Sequence, residues 1–163
     1  MSAAPIEPSE EQLRTALGVE RWVAEVRSAA PFADLEALLE KAAIAATPLL
    51  PSEIDEALAH HPRIGERASG SSEAAEHSRR EQASHDADDP TIGERLAAGN
   101  AAYQQRFGRI FLIRALGRSR AEIVAELERR LTLDQHDELV TVGEQLREIA
   151  LLRLTSTFGS VAA

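Results

Sequence analysis

Two histidines stand directly before a proline in the segment His60-His61-Pro62. Because a residue that precedes proline is disfavoured in the α conformation, a helix that reaches this point must end there, leaving His61 at its carboxyl end. The carbonyl groups at a helix end favour a protonated imidazole, and histidine titrates near neutral pH. His61 is therefore a candidate general acid–base group, with a capping or surface histidine as the alternative.

A second candidate is the polar segment 70–89, in which alanine is the largest aliphatic residue. If this segment is helical, the spacing places Ser78, Glu81, Gln82 and His85 on one face. A face of hydroxyl, carboxylate, amide and imidazole groups cannot drive packing by burying apolar area, and it suits one wall of a polar pocket. The alternative is a solvated helix or a flexible connector.

The third candidate is an arginine within the apolar stripe of the last predicted helix. A helical wheel at about 100° per residue places Arg153 on the same arc as Leu139, Val142, Leu146 and Ile149. A guanidinium is costly to remove from water unless it is paired. Arg153 must therefore meet an anion, a cavity or a buried acid, or else reach solvent at the helix end.

Histidines and carboxylates near these positions raise the question of a metal site. The residues that could supply ligands are His60, His61, His77, His85, Asp86 and Asp88. None of the zinc-ligand spacings is present, and the neighbouring residues His60 and His61 rarely face one ion. We therefore expect no catalytic metal.

The composition excludes several classes of protein. The chain has 163 residues, 44% of them hydrophobic and 28% charged, which is typical of one soluble globular domain over residues 1–163. Its net charge of −9 argues against a nucleic-acid partner, and the lack of cysteine excludes disulfides and thiolate chemistry. The longest apolar stretch, 42–50, is too short to span a membrane, and the N-terminus lacks a signal-peptide pattern. We expect a cytoplasmic protein with no membrane partner.

Helix signals along nearly the whole chain predict an all-α fold. Besides the segment 70–89, the expected helices begin near Ser9, Trp22, Asp34, Ser52, Asp89, Ser119 and Asp134. Ser9 with Gln12 and Ser119 with Glu122 form capping boxes. Only residues 109–115 have an extended character, and one such segment does not make a sheet. The expected architecture is a single compact bundle of about eight helices.

Taken in order, several of these segments resemble the family of 2-oxo-4-hydroxy-4-carboxy-5-ureidoimidazoline (OHCU) decarboxylases of urate degradation. The matching segments are His61-Pro62 with Ile64-Gly65, Ser78-Arg-Arg-Glu81-Gln82, Asn100-Ala-Ala-Tyr103, Arg106-Phe107-Gly108, Phe111-Leu-Ile113 and Leu152-Arg153-Leu154. They span roughly residues 10–158. One departure is Arg63, where many members carry an acid, and it leaves the substrate range open.

The resemblance implies an all-α decarboxylase without a cofactor, usually a homodimer, that converts OHCU to (S)-allantoin in a bacterial cytoplasm. It implies that His61 is the catalytic histidine and Glu81 its acidic partner. The positions that it implies for substrate binding are Pro62, Ser78, Gln82, Ile113, Arg114, Ala115, Leu116, Gly117 and Arg153. Residues 113–117 would bind through main-chain groups. Two alternatives remain: a non-catalytic helical interaction module, and a decarboxylase or lyase for a related ureido acid.

Overall fold

The computed structural model describes residues 3–61 and 73–159, without the side chains of residues 73–75 and 78. Within these ranges the chain forms eight α-helices and no strand, which confirms the predicted all-α class. The helices are α1 (Glu10–Ala16), α2 (Glu20–Ser28), α3 (Leu35–Ala45), α4 (Pro51–Leu58), α5 (Glu73–Gln82), α6 (Pro90–Phe107), α7 (Arg120–Arg130) and α8 (Gln135–Phe158). No helix within the described ranges combines the length and apolar character needed to cross a bilayer.

The chain divides into two compact units. The first unit comprises Met1–Ala59 and Gly143–Ala163, and the second comprises His60–Val142. Helices α1 to α4 lie in the first unit and α5 to α7 in the second, and α8 contributes residues to both. The expectation of one domain over residues 1–163 stays a prediction.

In the first unit, side-chain caps begin the helices where the sequence predicts them. The Ser9 hydroxyl accepts a hydrogen bond from the Gln12 amide at 3.1 Å, and the Gln12 side chain accepts one from the Ser9 amide at 2.9 Å. Asp34 caps α3 by accepting from the Ala37 amide at 2.8 Å. These bonds satisfy amide groups that have no partner within the helix.

Helix α4 differs from its predicted bounds at both ends. It begins at Pro51, one residue before the predicted cap, because the fixed φ of proline suits a first turn. The Glu53 carboxylate accepts a hydrogen bond from the Leu50 amide at 2.9 Å, which closes that turn. The helix ends at Leu58 and gives way to a turn, so the prediction that it runs to His60 is wrong by two residues.

The second unit is built around an apolar cluster shared by α6, α7 and the segment between them. Its buried members are Leu96, Tyr103, Phe107, Phe111, Ile113, Ala115, Ile123, Val124 and Leu127. Asp89 caps α6, as the sequence predicts, and Gly108 ends it in the left-handed conformation with φ 71°. The predicted capping box of Ser119 and Glu122 begins α7. Residues 110–115 lie outside any helix, as expected.

Candidate active site

The polar segment 70–89 contains the helix α5, whose last turn carries two of the predicted site residues. Glu81 and Gln82 are both half-buried there. Ser78 lies in the same helix, but its side chain is outside the described part of the chain. His85 does not extend this face as predicted, because the helix ends at Gln82 and residues 85–88 form a turn in which His85 is exposed.

His61 lies in the second unit, and its side chain is half-buried. It stands three residues beyond the end of α4 and belongs to no helix, so it is not in a last helical turn as expected. The next two residues are Pro62 and Arg63, the position at which this chain differs from many family members. Both lie outside the described residues. The imidazole is therefore carried by a non-helical part of the backbone.

Asp86 connects the loop that follows α5 to the first turn of α7. Its carboxylate accepts hydrogen bonds from the amides of Arg120 at 2.7 Å and Ala121 at 3.0 Å, and from the Ser84 hydroxyl at 2.8 Å. A carboxylate at a helix N-terminus is also favoured by the helix dipole. Although desolvation raises the pKa of Asp86, the hydrogen bonds from the two amides and from Ser84 lower it to about 2 overall.

This connection lies a few residues from two predicted parts of the site within the second unit. Gln82, at the end of α5, precedes Asp86 by four residues. Gly117, at the end of the predicted binding segment, precedes Arg120 by three residues. The hydrogen bonds of Asp86 therefore connect the chain that follows α5 to the chain that follows segment 113–117.

We expect Asp86→Asn to lower the urea midpoint of unfolding at pH 7, because the amide replaces one acceptor oxygen with a donor. A carboxylate whose pKa is lowered on folding stabilises the fold above its unfolded pKa of about 3.8, and that contribution is lost as the pH falls through about 2. The difference between wild type and variant should therefore shrink between pH 4 and pH 2, as measured by urea titration at each pH.

The matched control for that experiment is Asp88→Asn, since Asp88 is an exposed carboxylate in the same turn. This substitution should leave the midpoint unchanged at both ends of the pH range. An Asp86→Asn variant that unfolds at the wild-type urea concentration at pH 7 would show that the connection contributes nothing to stability.

Segment 113–117 contains both buried and exposed residues. Ile113 and Ala115 are buried, whereas Leu116 is 41% exposed and Gly117 is also exposed. The Arg118 amide donates to the Ala115 carbonyl at 3.0 Å, which forms a turn, and Gly117 adopts φ 82° within it. Because this φ strains any residue with a side chain, glycine is required here for the turn to form without cost.

The arginine of this segment, Arg114, folds back on the turn. Arg114 donates from Nη1 to the Leu116 carbonyl at 2.9 Å. The Leu116 carbonyl is therefore occupied by a contact within the turn. The main-chain role of this segment in recognising substrate amides is what the resemblance to the family implies, and it stays a prediction.

Arg153 lies in the first unit and is buried, with 5% of its surface exposed, as the helical wheel predicts. Its Nη1 donates to the Thr15 carbonyl at 2.9 Å. Thr15 belongs to the last turn of α1, whose carbonyl end favours a cation. The guanidinium is thereby held by a helix end, which compensates part of its desolvation.

A buried polar network in the second unit was not predicted from the sequence. Arg130 is fully buried, and Glu138 is 2% exposed. The Nε of Arg130 donates to both Glu138 oxygens at 2.9 and 3.1 Å, and its Nη2 also donates to Oε1. The Tyr103 hydroxyl donates to the same Oε1 at 2.5 Å. Burial and the neighbouring carboxylate raise the pKa of Tyr103, so its hydroxyl stays protonated as the donor.

The pattern that singles out Arg153 also contains the signal for this network. Arg130 follows Ile123 and Leu127 at helical spacing, so it lies on the buried face of α7. Glu138 precedes Val142 and Leu146 on the buried face of α8 in the same way. The spacing therefore predicts that Arg130 and Glu138 are each buried on the apolar face of its helix.

Neither a metal nor a large ligand fits the groups around this network. Among the described residues, no group of three or more His, Cys, Asp or Glu side chains is placed to hold a metal ion. A cavity of about 10 Å³ adjoins the network, and its lining residues are Tyr103, Phe107, Arg109, Gln135, Glu138, Leu139 and Val142. This volume accommodates a single water molecule and no ureidoimidazoline.

Comparison with known proteins identifies the family. The family model of OHCU decarboxylase matches residues 2–155. A 2-oxo-4-hydroxy-4-carboxy-5-ureidoimidazoline decarboxylase of Haloferax volcanii is 31% identical over 142 residues, which are 85% of this chain and 82% of that protein. The mouse protein of the same name is 35% identical over 143 residues, which are 84% of this chain and 78% of that protein.

Solved structures show the same fold. The crystal structure of OHCU decarboxylase in the presence of (S)-allantoin superposes with a TM-score of 0.76 at 23% identity, over 93% of this chain and 99% of that chain. The crystal structure of (S)-allantoin synthase superposes with a TM-score of 0.63 at 17% identity, over 91% of this chain and 49% of that chain. With the family match over nearly all of its length, the chain belongs to the OHCU decarboxylase family.

Proposed function

We propose that this chain is a carboxy-lyase that converts OHCU to (S)-allantoin. The family match over residues 2–155 carries the proposal. It is supported by two relatives above 30% identity that are named as decarboxylases of this substrate. The described residues also supply acid–base and amide-binding groups of the kind that this reaction needs.

The substrate itself contains the group that accepts the electrons. In OHCU the carboxylate is bonded to C4, next to the C5=N double bond of the ring. When the bond between C4 and the carboxylate breaks, CO₂ leaves, a C4=C5 double bond forms and the ring nitrogen takes a proton. The resulting enol then loses the proton of its C4 hydroxyl and gains one at C5, which gives allantoin. This sequence of steps needs no cofactor.

In this proposal His61 transfers the proton between the C4 hydroxyl and C5. An imidazole is suited to this transfer because it can both accept and donate a proton near neutral pH. Glu81 orients the ring and stabilises its protonated form. The half-buried position of both side chains supports these roles, since each is shielded in part from water yet accessible to a ligand.

The remaining site residues bind the polar groups of the substrate. The exposure of Leu116 and Gly117 supports hydrogen bonding of segment 113–117 to the ureido and ring amides. Gln82, Ser78 and Pro62 would contact the substrate from the side of α5 and His61. Together these contacts would hold one conformer, so that C5 receives its proton on one face only.

Arg153 is the proposed partner of the substrate's anionic groups, because a guanidinium is suited to planar anion recognition. We expect Arg153→Leu to raise the KM for OHCU about 10-fold to 100-fold, which corresponds to a charge-assisted hydrogen bond of about 1.5–3 kcal/mol. The free energy of unfolding should stay unchanged or rise, because a buried guanidinium is removed. Steady-state kinetics and urea unfolding measure the two effects.

The matched control is Arg147→Leu on the same helix, where Arg147 is half-buried and donates to the Thr47 hydroxyl at 2.9 Å. That variant should keep the wild-type KM. If Arg153→Leu kept the wild-type KM but unfolded at a much lower urea concentration, Arg153 would be a structural residue and not a substrate ligand.

The proposal also includes a homodimer in the cytoplasm of a bacterial cell. Both features come from the resemblance to the family. Sedimentation velocity at micromolar concentration tests the oligomeric state, for which we expect one species of twice the chain mass.

The proposed reaction is tested by incubating freshly generated OHCU with the purified wild-type chain. Loss of OHCU absorbance measures the rate, and circular dichroism of the product measures its handedness. We expect OHCU to disappear faster than in buffer and to give (S)-allantoin. Racemic allantoin formed at the rate of the buffer control would contradict the proposed function.

A further inference from the structure

We infer that the buried network of Arg130, Glu138 and Tyr103 positions the backbone of segment 113–117 for substrate binding. The inference rests on the proposed function, because it assigns the network a role towards that substrate. The network touches no reacting atom in this view and acts through the segment alone.

Segment 111–117 has no regular secondary structure that would fix its backbone. It belongs to no helix, and the described residues include no strand with which it could pair. Phe111, Leu112, Ile113 and Ala115 are buried. Because apolar burial is non-directional, it does not by itself fix where the amide and carbonyl groups of the segment point.

Arg130 supplies a directional contact at the start of this segment. Its Nη1 donates to the Leu112 carbonyl at 2.7 Å. Its guanidinium carbon lies 4.6 Å from the centre of the Phe111 ring. One planar group therefore holds two adjacent residues, and the next residue, Ile113, is the first of the proposed binding segment.

The guanidinium is held in turn from several directions. Both carboxylate oxygens of Glu138 accept hydrogen bonds from Arg130, and the Tyr103 hydroxyl donates a hydrogen bond to the same carboxylate. Tyr103 and Arg130 are fully buried, and Glu138 is nearly so. Because these side chains come from α6, α7 and α8, the position of Leu112 is set relative to three helices.

Stability is a weak reason for an ion pair at this position. Replacing a buried ion pair with apolar residues of similar volume is often neutral or stabilising, and the best-attested use of such pairs is to select one arrangement. The adjoining cavity is too small for the substrate. The contact between Arg130 and Leu112 is therefore the feature that connects this network to function.

The test uses an apolar triple variant, Tyr103→Phe with Arg130→Met and Glu138→Leu. We expect it to fold, since no charge is left buried without a partner, and to lose about 100-fold in kcat/KM because the binding groups are misplaced. The enantiomeric excess of (S)-allantoin should also fall, because a loosely held substrate is protonated on both faces. The product is analysed at enzyme concentrations where catalysed flux far exceeds the uncatalysed reaction.

A second variant, Arg130→Lys, keeps the positive charge opposite Glu138. It lacks the second guanidinium nitrogen that donates to the Leu112 carbonyl, so the enantiomeric excess of its product should fall in the same way. It serves as the test if the triple variant does not fold. The matched control is Arg95→Met with Glu128→Leu, which removes an exposed ion pair of 2.7 Å between α6 and α7. This control should keep wild-type kcat/KM and product handedness.

The outcomes separate the inference from the proposed function. Wild-type kcat/KM and pure (S)-allantoin from a folded triple variant, or from Arg130→Lys, would overturn the positioning role while leaving the decarboxylase activity intact. A wild-type chain that forms no (S)-allantoin would overturn the proposed function itself.

Discussion

Replacing His61 with asparagine is expected to lower the decarboxylation rate by about 10²-fold to 10⁴-fold, the usual contribution of a positioned acid–base group. Asparagine keeps hydrogen-bonding capacity but cannot transfer a proton near neutral pH. Because His61 lies outside every described helix and is only half-buried, the helical circular dichroism should stay unchanged. OHCU decay and product handedness measure the effect.

The neighbouring residue provides the matched control for this prediction. His60 is exposed, so His60→Asn should retain the wild-type rate. If Glu81 acts by orienting His61, then adding Glu81→Gln to a chain that already carries His61→Asn should lower the decarboxylation rate little further. The effects of two residues that act as a unit are not additive. A His61→Asn variant that forms (S)-allantoin at the wild-type rate would remove His61 from the mechanism.

The largest expected effect on stability comes from Arg130→Met alone. This substitution leaves the Glu138 carboxylate buried and without its main partner, which typically costs about 3–5 kcal/mol. Domains of this size have about 5–15 kcal/mol of total stability, so the variant should lose between about a fifth and all of it. Urea unfolding followed by circular dichroism measures the loss.

The apolar triple variant should recover most of that stability, because it removes the carboxylate and the hydroxyl together with the guanidinium. The triple variant should therefore be more stable than Arg130→Met alone, although it carries more substitutions. An Arg130→Met chain as stable as wild type would mean that Glu138 finds water or another donor when Arg130 is absent.

Local signals in the sequence predicted most of the fold. The caps at Ser9, Asp34, Asp89 and Ser119 were all confirmed, because each involves a side chain and an amide within a few residues of each other. The bounds of α4 were less well predicted, since its first turn is closed by Glu53 with no hydroxyl or aspartate at the cap.

Burial of charged residues was predicted in part. The helical wheel predicts that Arg153 lies on the buried face of α8, and Arg153 is buried. Applying the same wheel to α7 and α8 would have found Arg130 and Glu138, since their helical spacing is equally regular. What the sequence lacks is any signal that pairs them with each other or with the Leu112 carbonyl.

Contacts between distant segments could not be predicted from one sequence. Asp86 binds amides more than thirty residues later, and nothing in the sequence distinguishes it from its neighbour Asp88. The roles of Glu81 and Gln82 were predicted only through resemblance to a family, because a polar helix face by itself is compatible with a solvated helix. Those roles remain predictions for the experiments above.

A crystal structure of the wild-type chain with (S)-allantoin bound is the most direct test of whether the proposed catalytic and binding groups serve one site. We expect allantoin within about 3 Å of the His61 imidazole and of backbone groups in segment 113–117, which is hydrogen-bond distance. Allantoin bound at a position that neither His61 nor this segment reaches would contradict the proposed site.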